Sequence, residues 1–161
     1  MRRFLLSIAL GGLLTACSFA PLVIHIEDYD TDVGLLGNSK VVFQKAKQNQ
    51  TPPTPVKSIA IEGEVTYQQQ DIILEFFASD GPPCTNQPIS GVYVCDLSSD
   101  FESVGEVGFA SGAKQSFQWS GSELTAGTNK GSLYLGVRLK SGLLTGGSLL
   151  FRNIVAKVVI F

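Results

Sequence analysis

An all-β fold, an antiparallel β-sandwich preceded by a signal-peptide helix, is what this sequence predicts. Three observations point to it. Short apolar runs rich in Val, Ile and Phe recur along the chain, several with apolar and polar residues alternating at a period of two. Turn signals built on Gly separate them, and Gly supplies 17 of the 161 residues. Beyond the N-terminal segment, no stretch shows the apolar period of an amphipathic helix.

The N-terminal segment comes first. Arg2 and Arg3 make a short positive start, and Phe4 to Leu14 is an apolar run of eleven residues. A helix needs roughly twenty residues to cross a hydrocarbon core, so this run is too short to span one. A charged start, a short apolar run and small residues before a break mark a secretory signal peptide. The break reads Leu14-Thr15-Ala16-Cys17. It resembles the lipobox of bacterial lipoproteins, a Leu and two small residues before an invariant Cys. The resemblance implies cleavage before Cys17, a diacylglycerol on the Cys17 sulfur and acylation of the new amine. Each buried CH₂ contributes about 0.8 kcal/mol, so two or three acyl chains anchor durably where one holds marginally. The implied address is the bacterial cell envelope, with the membrane as partner through Cys17. Ser18 follows in place of the Asp that retains such proteins at the inner membrane, which favours the outer membrane where there is one.

Residues 17–161 are then the mature chain, long enough for one domain with its own core. The whole chain has 12 Lys+Arg against 14 Asp+Glu, and loss of Arg2 and Arg3 leaves the mature part more acidic. The sequence shows no basic patch of the kind that neutralises phosphates, so nucleic acid is not an expected partner. With Cys17 taken by lipid, Cys84 and Cys95 remain as a pair in an oxidising compartment, and a disulfide is expected. A zinc pair is the rival reading, but zinc takes three or four ligands, and only one His accompanies the two thiols.

Leu22 to Ile26 reads as a short strand, followed by an acidic stretch from Glu27 to Asp32 and turn signals at Gly34 and Gly37-Asn38. Ser39 to Ala46 is the next strand, centred on Val41-Val42-Phe43. Pro52, Pro53 and Pro55 lack amide donors and favour an extended, solvated backbone, which marks a linker. The expected organisation is therefore a signal peptide over 1–16, a lipidated tether with short strands and a Pro-rich linker over 17–55, and a sandwich over 56–161. In the sandwich, Ile59, Ile61, Val65 and Tyr67 share one face while Glu62, Glu64, Thr66 and Gln68 share the other. Ile72 to Ala78 is apolar on both faces, as in a central strand. Gly91–Cys95, Ser103–Ala110, Gln115–Ser120, Gly131–Lys140 and Ser148–Phe161 complete the set. Turns are expected at Ser111-Gly112, over 127–131 and at Gly146-Gly147. The size suits an immunoglobulin-like sandwich, and a jelly roll would read similarly.

Candidate chemistry is sparse. Asp28, Asp30 and Asp32 have the alternate spacing that opens a calcium loop, and calcium prefers such hard oxygen ligands. An EF-hand would have Gly and Glu where this chain has Val33 and Ser39, so only a looser calcium site is open to them. Phe117 and Trp119 share a strand face; exposed they could stack on a sugar ring, buried they are sandwich core. Ser111-Gly112-Ala113-Lys114 matches the Ser-x-x-Lys of penicillin-recognising enzymes but lacks the companion motifs. His25 stands alone with no nucleophile elbow. Glu62 and Glu64 are about 7 Å apart by strand rise, a spacing that suits glycoside hydrolysis and equally a solvated face. Phe161 ends the chain on an aromatic, as outer-membrane barrel strands do, but Lys157 interrupts the stripe a lipid-facing strand would need. No catalytic set is complete, and no resident cofactor is expected. The chain reads as a lipid-anchored envelope protein with a non-catalytic structural or protein-binding sandwich. The alternative is a ligand-binding module for carbohydrate or calcium, and an envelope protein or glycan is the expected partner.

Overall fold

The computed structural model describes residues 22–34, 36–47, 51–109 and 113–160, and in it the expected strands, joined by one that forms in the acidic stretch, pair into two antiparallel five-stranded sheets. The first sheet contains β1 (Leu22–His25), β2 (Tyr29–Asp32), β4 (Ser58–Thr66), β8 (Lys114–Ser120) and β10 (Ser148–Val159). The second contains β3 (Lys40–Lys45), β5 (Ile73–Ser79), β6 (Val92–Asp96), β7 (Glu102–Gly108) and β9 (Tyr134–Ser141). A single short helix, α1 (Ser122–Lys130), links β8 to β9 among the described residues. The molecule is an all-β sandwich, as the alternation implied.

Alternation builds the core. Ile59, Ile61, Val65 and Tyr67 are all buried, and they meet Leu149, Phe151, Ala156 and Val158 of β10 and Leu74 and Phe76 of β5 in one cluster. β5 is sandwiched between β9 and β7, and its apolar residues on both faces are used on both. Phe76 and Ala78 join the main core, while Phe77 joins a smaller one with Val41, Phe43, Cys95 and Tyr134. Partly buried Cys84, Tyr93 and Phe101 pack on that second cluster. The 5.8 Å Cα–Cα link of the Cys84–Cys95 disulfide ties the segment after β5 to β6 there. The expected Cys84–Cys95 pairing is present.

Two elements depart from expectation. Residues 22–47 are not a tether: β3 lies between β6 and β9, and β1 and β2 pair with β10. The boundary expected at 55 therefore does not divide them from the sandwich. The misreading has a physical source, since a Pro-rich segment breaks strand pairing locally but says nothing about what the preceding strand pairs with. The helix replaces the turn expected over 127–131. It is short and poor in helix formers, so its own sequence carries a weak signal. Tertiary contacts make up the difference. Leu124 is fully buried, and Gly127 allows Leu133 to approach where a Cβ would stand 2.9 Å from its Cα. Gly131, at φ +67°, ends the helix, its N–H donating to the Thr128 carbonyl while Ser132 N–H donates to Gly127.

β1 and β2 form one broken edge strand along β10. β2 pairs with 148–151 and β1 with 155–158, and between them β10 carries a bulge. Asn153 holds φ +54° in that bulge, a left-handed backbone that Asn tolerates. The signal-peptide run, Cys17, Ser18, Ser111, Gly112 and Phe161 lie outside the described residues.

Candidate functional site

The acidic stretch folds against the bulge. Asp28 Oδ1 accepts from Asn153 N–H at 3.0 Å, an amide that the bulge removes from the strand ladder. Arg152 Nη1 donates to Asp30 Oδ1 at 2.7 Å and to the Tyr29 and Phe151 carbonyls at 3.2 and 2.8 Å. Its Nε lies 3.8 Å from Asp28 Oδ2. The hydrogen bond with Asp30 and the charges of Asp30 and Asp28 together hold the guanidinium charged more firmly than usual, against the desolvation that opposes it. Asp32 is engaged separately, accepting from Gly34 N–H at 2.5 Å in its own turn.

That arrangement corrects the calcium reading of Asp28, Asp30 and Asp32. Two of the carboxylates already share a cation, and the third folds back on the backbone. Among the described residues, no three His, Cys, Asp or Glu side chains are grouped to hold a metal ion. Spacing along the chain could not reveal this, because Arg152 arrives from more than a hundred residues away.

The sugar-platform reading of Phe117 and Trp119 is also corrected. Both are interior, at 7% and 3% exposure. Their rings stack on each other at 4.1 Å between centroids, and Trp119 lies 4.5 Å from Phe76. Phe151 meets both edge-on, and neither ring offers a face to solvent. Gly63 leaves room for Phe117, whose Cζ would be 2.8 Å from a Cβ there.

Glu62 and Glu64 project from the outer face of β4, and each has a lysine. Lys157 donates to Glu62 at 2.7 Å, and Lys114 sits 2.7 Å from Glu64, which also accepts from Asn153 Nδ2. The hydrogen bonds from Lys114 and Asn153 hold the Glu64 carboxyl below its ordinary value. A general acid in glycoside hydrolysis needs the opposite shift. Lys114 of the Ser-x-x-Lys match is thereby engaged in a surface ion pair on β8. His25 is exposed on β1, opposite Val155.

What the fold does assemble is one end of the sandwich. β1 begins there, with Leu22 paired to Val158, and Lys57 N–H donates to the Val159 carbonyl next to it. In the other sheet β3 ends there at Lys45, paired with Tyr134, and Lys47 follows two residues on. Leu22, Val23 and Ile24 are 53%, 48% and 46% exposed, and Ile160 is exposed beside them after β10. The sequence showed no basic patch; the fold brings three exposed lysines, 45, 47 and 57, to this end. Among the described residues none of the three has a carboxylate within ion-pair distance, unlike Lys40, Lys114, Lys130, Lys140 and Lys157.

No protein-family model matches this chain, and no curated protein matches it. Function has to be read from its own residues.

Proposed function

We propose that this chain is a bacterial envelope lipoprotein, anchored through acylated Cys17, whose β-sandwich is a non-catalytic structural or protein-binding module. The observation that carries the reading is the ordered series Arg2-Arg3, the apolar run Phe4–Leu14 and the lipobox Leu14-Thr15-Ala16-Cys17. The Cys84–Cys95 disulfide supports it, because such bonds persist in compartments outside the reducing cytosol. It leaves Cys17 as the one cysteine free for lipid. Ser18 favours the outer membrane in a cell that has one.

The partner class is an envelope protein or glycan.

The test is direct. Cells supplied with a clickable palmitate analogue should label the protein and carry it in the membrane fraction. Cys17→Ser should lose the label and move to the soluble fraction. Membrane association unchanged by that substitution would sink the anchor. For the partner, crosslinking in intact envelopes followed by mass spectrometry should recover a protein or glycan adduct that the Cys17→Ser chain does not form.

A further inference from the structure

The lysine-bearing end described above has a geometry that goes further than anchoring, although the step rests on the lipoprotein reading. We infer that the sandwich stands on the bilayer with this end down: Leu22, Val23, Ile24 and Ile160 meet the apolar edge of an anionic phospholipid surface, and Lys45, Lys47 and Lys57 meet its headgroups.

Reach is the first argument. Five residue steps separate Cys17 from Leu22, and a chain extends at most about 3.6 Å per residue, so β1 starts within about 18 Å of the acylated sulfur. Residue Asp32 is ten steps beyond Leu22 along the same broken edge strand, roughly 33 Å further at strand rise. The end at Leu22 is therefore the one the anchor brings to the membrane.

Charge is the second. The three lysines with no carboxylate in reach occupy that end. Three acids that share it are engaged already: Asp80 by Lys130, Glu102 by the N–H groups of α1, and Glu123 by the N–H of Asp80. Asp28, Asp30 and Asp32 lie farther along the edge strand, away from the anchor. Lysines near an anionic surface attract it, and acids near it are repelled.

Exposure is the third. Leu22 and Ile24 point to the core side of the sheet and Val23 to the outer side, yet all three are about half exposed. An edge strand apolar on both faces suits an interface in which one side is hydrocarbon.

The test uses the full acylated chain reconstituted in vesicles of phosphatidylethanolamine and phosphatidylglycerol, with bromine on the acyl chains as quencher. Native Trp119 is buried and serves as a silent background. Ile24→Trp should lose most of its added emission. Leu143→Trp, 73% exposed in the connection at the opposite end, should keep its emission. Adding Lys45→Glu, Lys47→Glu and Lys57→Glu to Ile24→Trp should recover the emission, and failure to recover would overturn the charge assignment. Mass spectrometry of the same preparation reads acylation. Acylated protein with Ile24→Trp unquenched would overturn the orientation and leave the anchor standing, and a dimer in that case would assign the free edge of β1 to a second copy. A Cys17 without lipid would remove the anchor and this orientation together.

Discussion

Glu102 does for α1 what no residue of the helix does for itself. The N-cap position is Gly121, which has no side chain to accept the first free N–H groups. Glu102 reaches across from β7 instead, accepting from Ser122 N–H at 2.8 Å, Ser122 Oγ at 2.7 Å and Glu123 N–H at 2.7 Å. Burial pushes its carboxyl upward, but the hydrogen bonds from Ser122 and Glu123 outweigh that and hold it below the ordinary 4.5. A carboxylate lowered in the folded state contributes stability above its unfolded pKa and loses it as pH falls through the folded value. Glu102→Ala should cost about 1 kcal/mol in urea unfolding at neutral pH, the usual worth of a cap. Glu102→Gln should cost less, and its deficit should close as the pH drops below 4.5. The contrast with Arg152 is informative. Its ion pairs are half exposed, so they position the acidic stretch more than they stabilise the fold.

At the scale of elements, one bulge organises the first sheet. It displaces two residues of β10, inserts Asn153 with a left-handed backbone and divides the partner strand into β1 and β2. The acidic stretch does not read as a strand in the sequence, because its alternation is too polar for a core strand. It becomes a strand because β10 offers it a ladder, and because Tyr29 stacks on Phe151 at 4.6 Å. The second sheet has a comparable dependency. Among the described strands β6 pairs with β3 alone, and the covering segment before it bridges to β6 at Ile89 and is held by the Cys84–Cys95 bond over the Val41–Phe43–Phe77 cluster. Closing a loop with a sequence separation of 11 should contribute about 3 kcal/mol on the chain-entropy model. The double variant Cys84→Ser/Cys95→Ser should lose about that much in chemical unfolding. The wild-type protein under reductant should match it.

For the whole molecule, the two sheets are built from both halves of the sequence, so neither half is a domain. β3 contributes the strand on which β6 and β9 both pair, and β1 and β2 cover the outer edge of β10. A chain beginning at residue 56 should therefore fail to fold cooperatively. Its one-dimensional proton spectrum should lose dispersion and its urea transition should broaden, whereas a chain beginning at residue 18 should give a single sharp transition. No helix among the described residues is long and apolar enough to cross a membrane, and the proposed attachment is by lipid at one end of the sandwich.

Much of this was legible beforehand, for a local reason. Strand type is written in a period of two that each segment carries by itself, so Ile59, Ile61, Val65 and Tyr67 declared their buried face without reference to any partner. The apolar double face of β5 declared a central strand in the same way, and compartment logic paired Cys84 with Cys95. The resemblance of Leu14-Thr15-Ala16-Cys17 to a lipobox, on which the proposed anchor rests, is likewise carried by four adjacent residues. What only the tertiary structure decided depends on groups far apart in sequence. Arg152 claims Asp28 and Asp30, Phe76 and Phe151 enclose Phe117 and Trp119, and Glu102 makes a helix of a segment with little propensity. Lys45, Lys47 and Lys57 are scattered in the sequence and become one charged end only when β3 and β4 finish and start there. Pairing between distant strands sets each of these, and the segments themselves do not encode it.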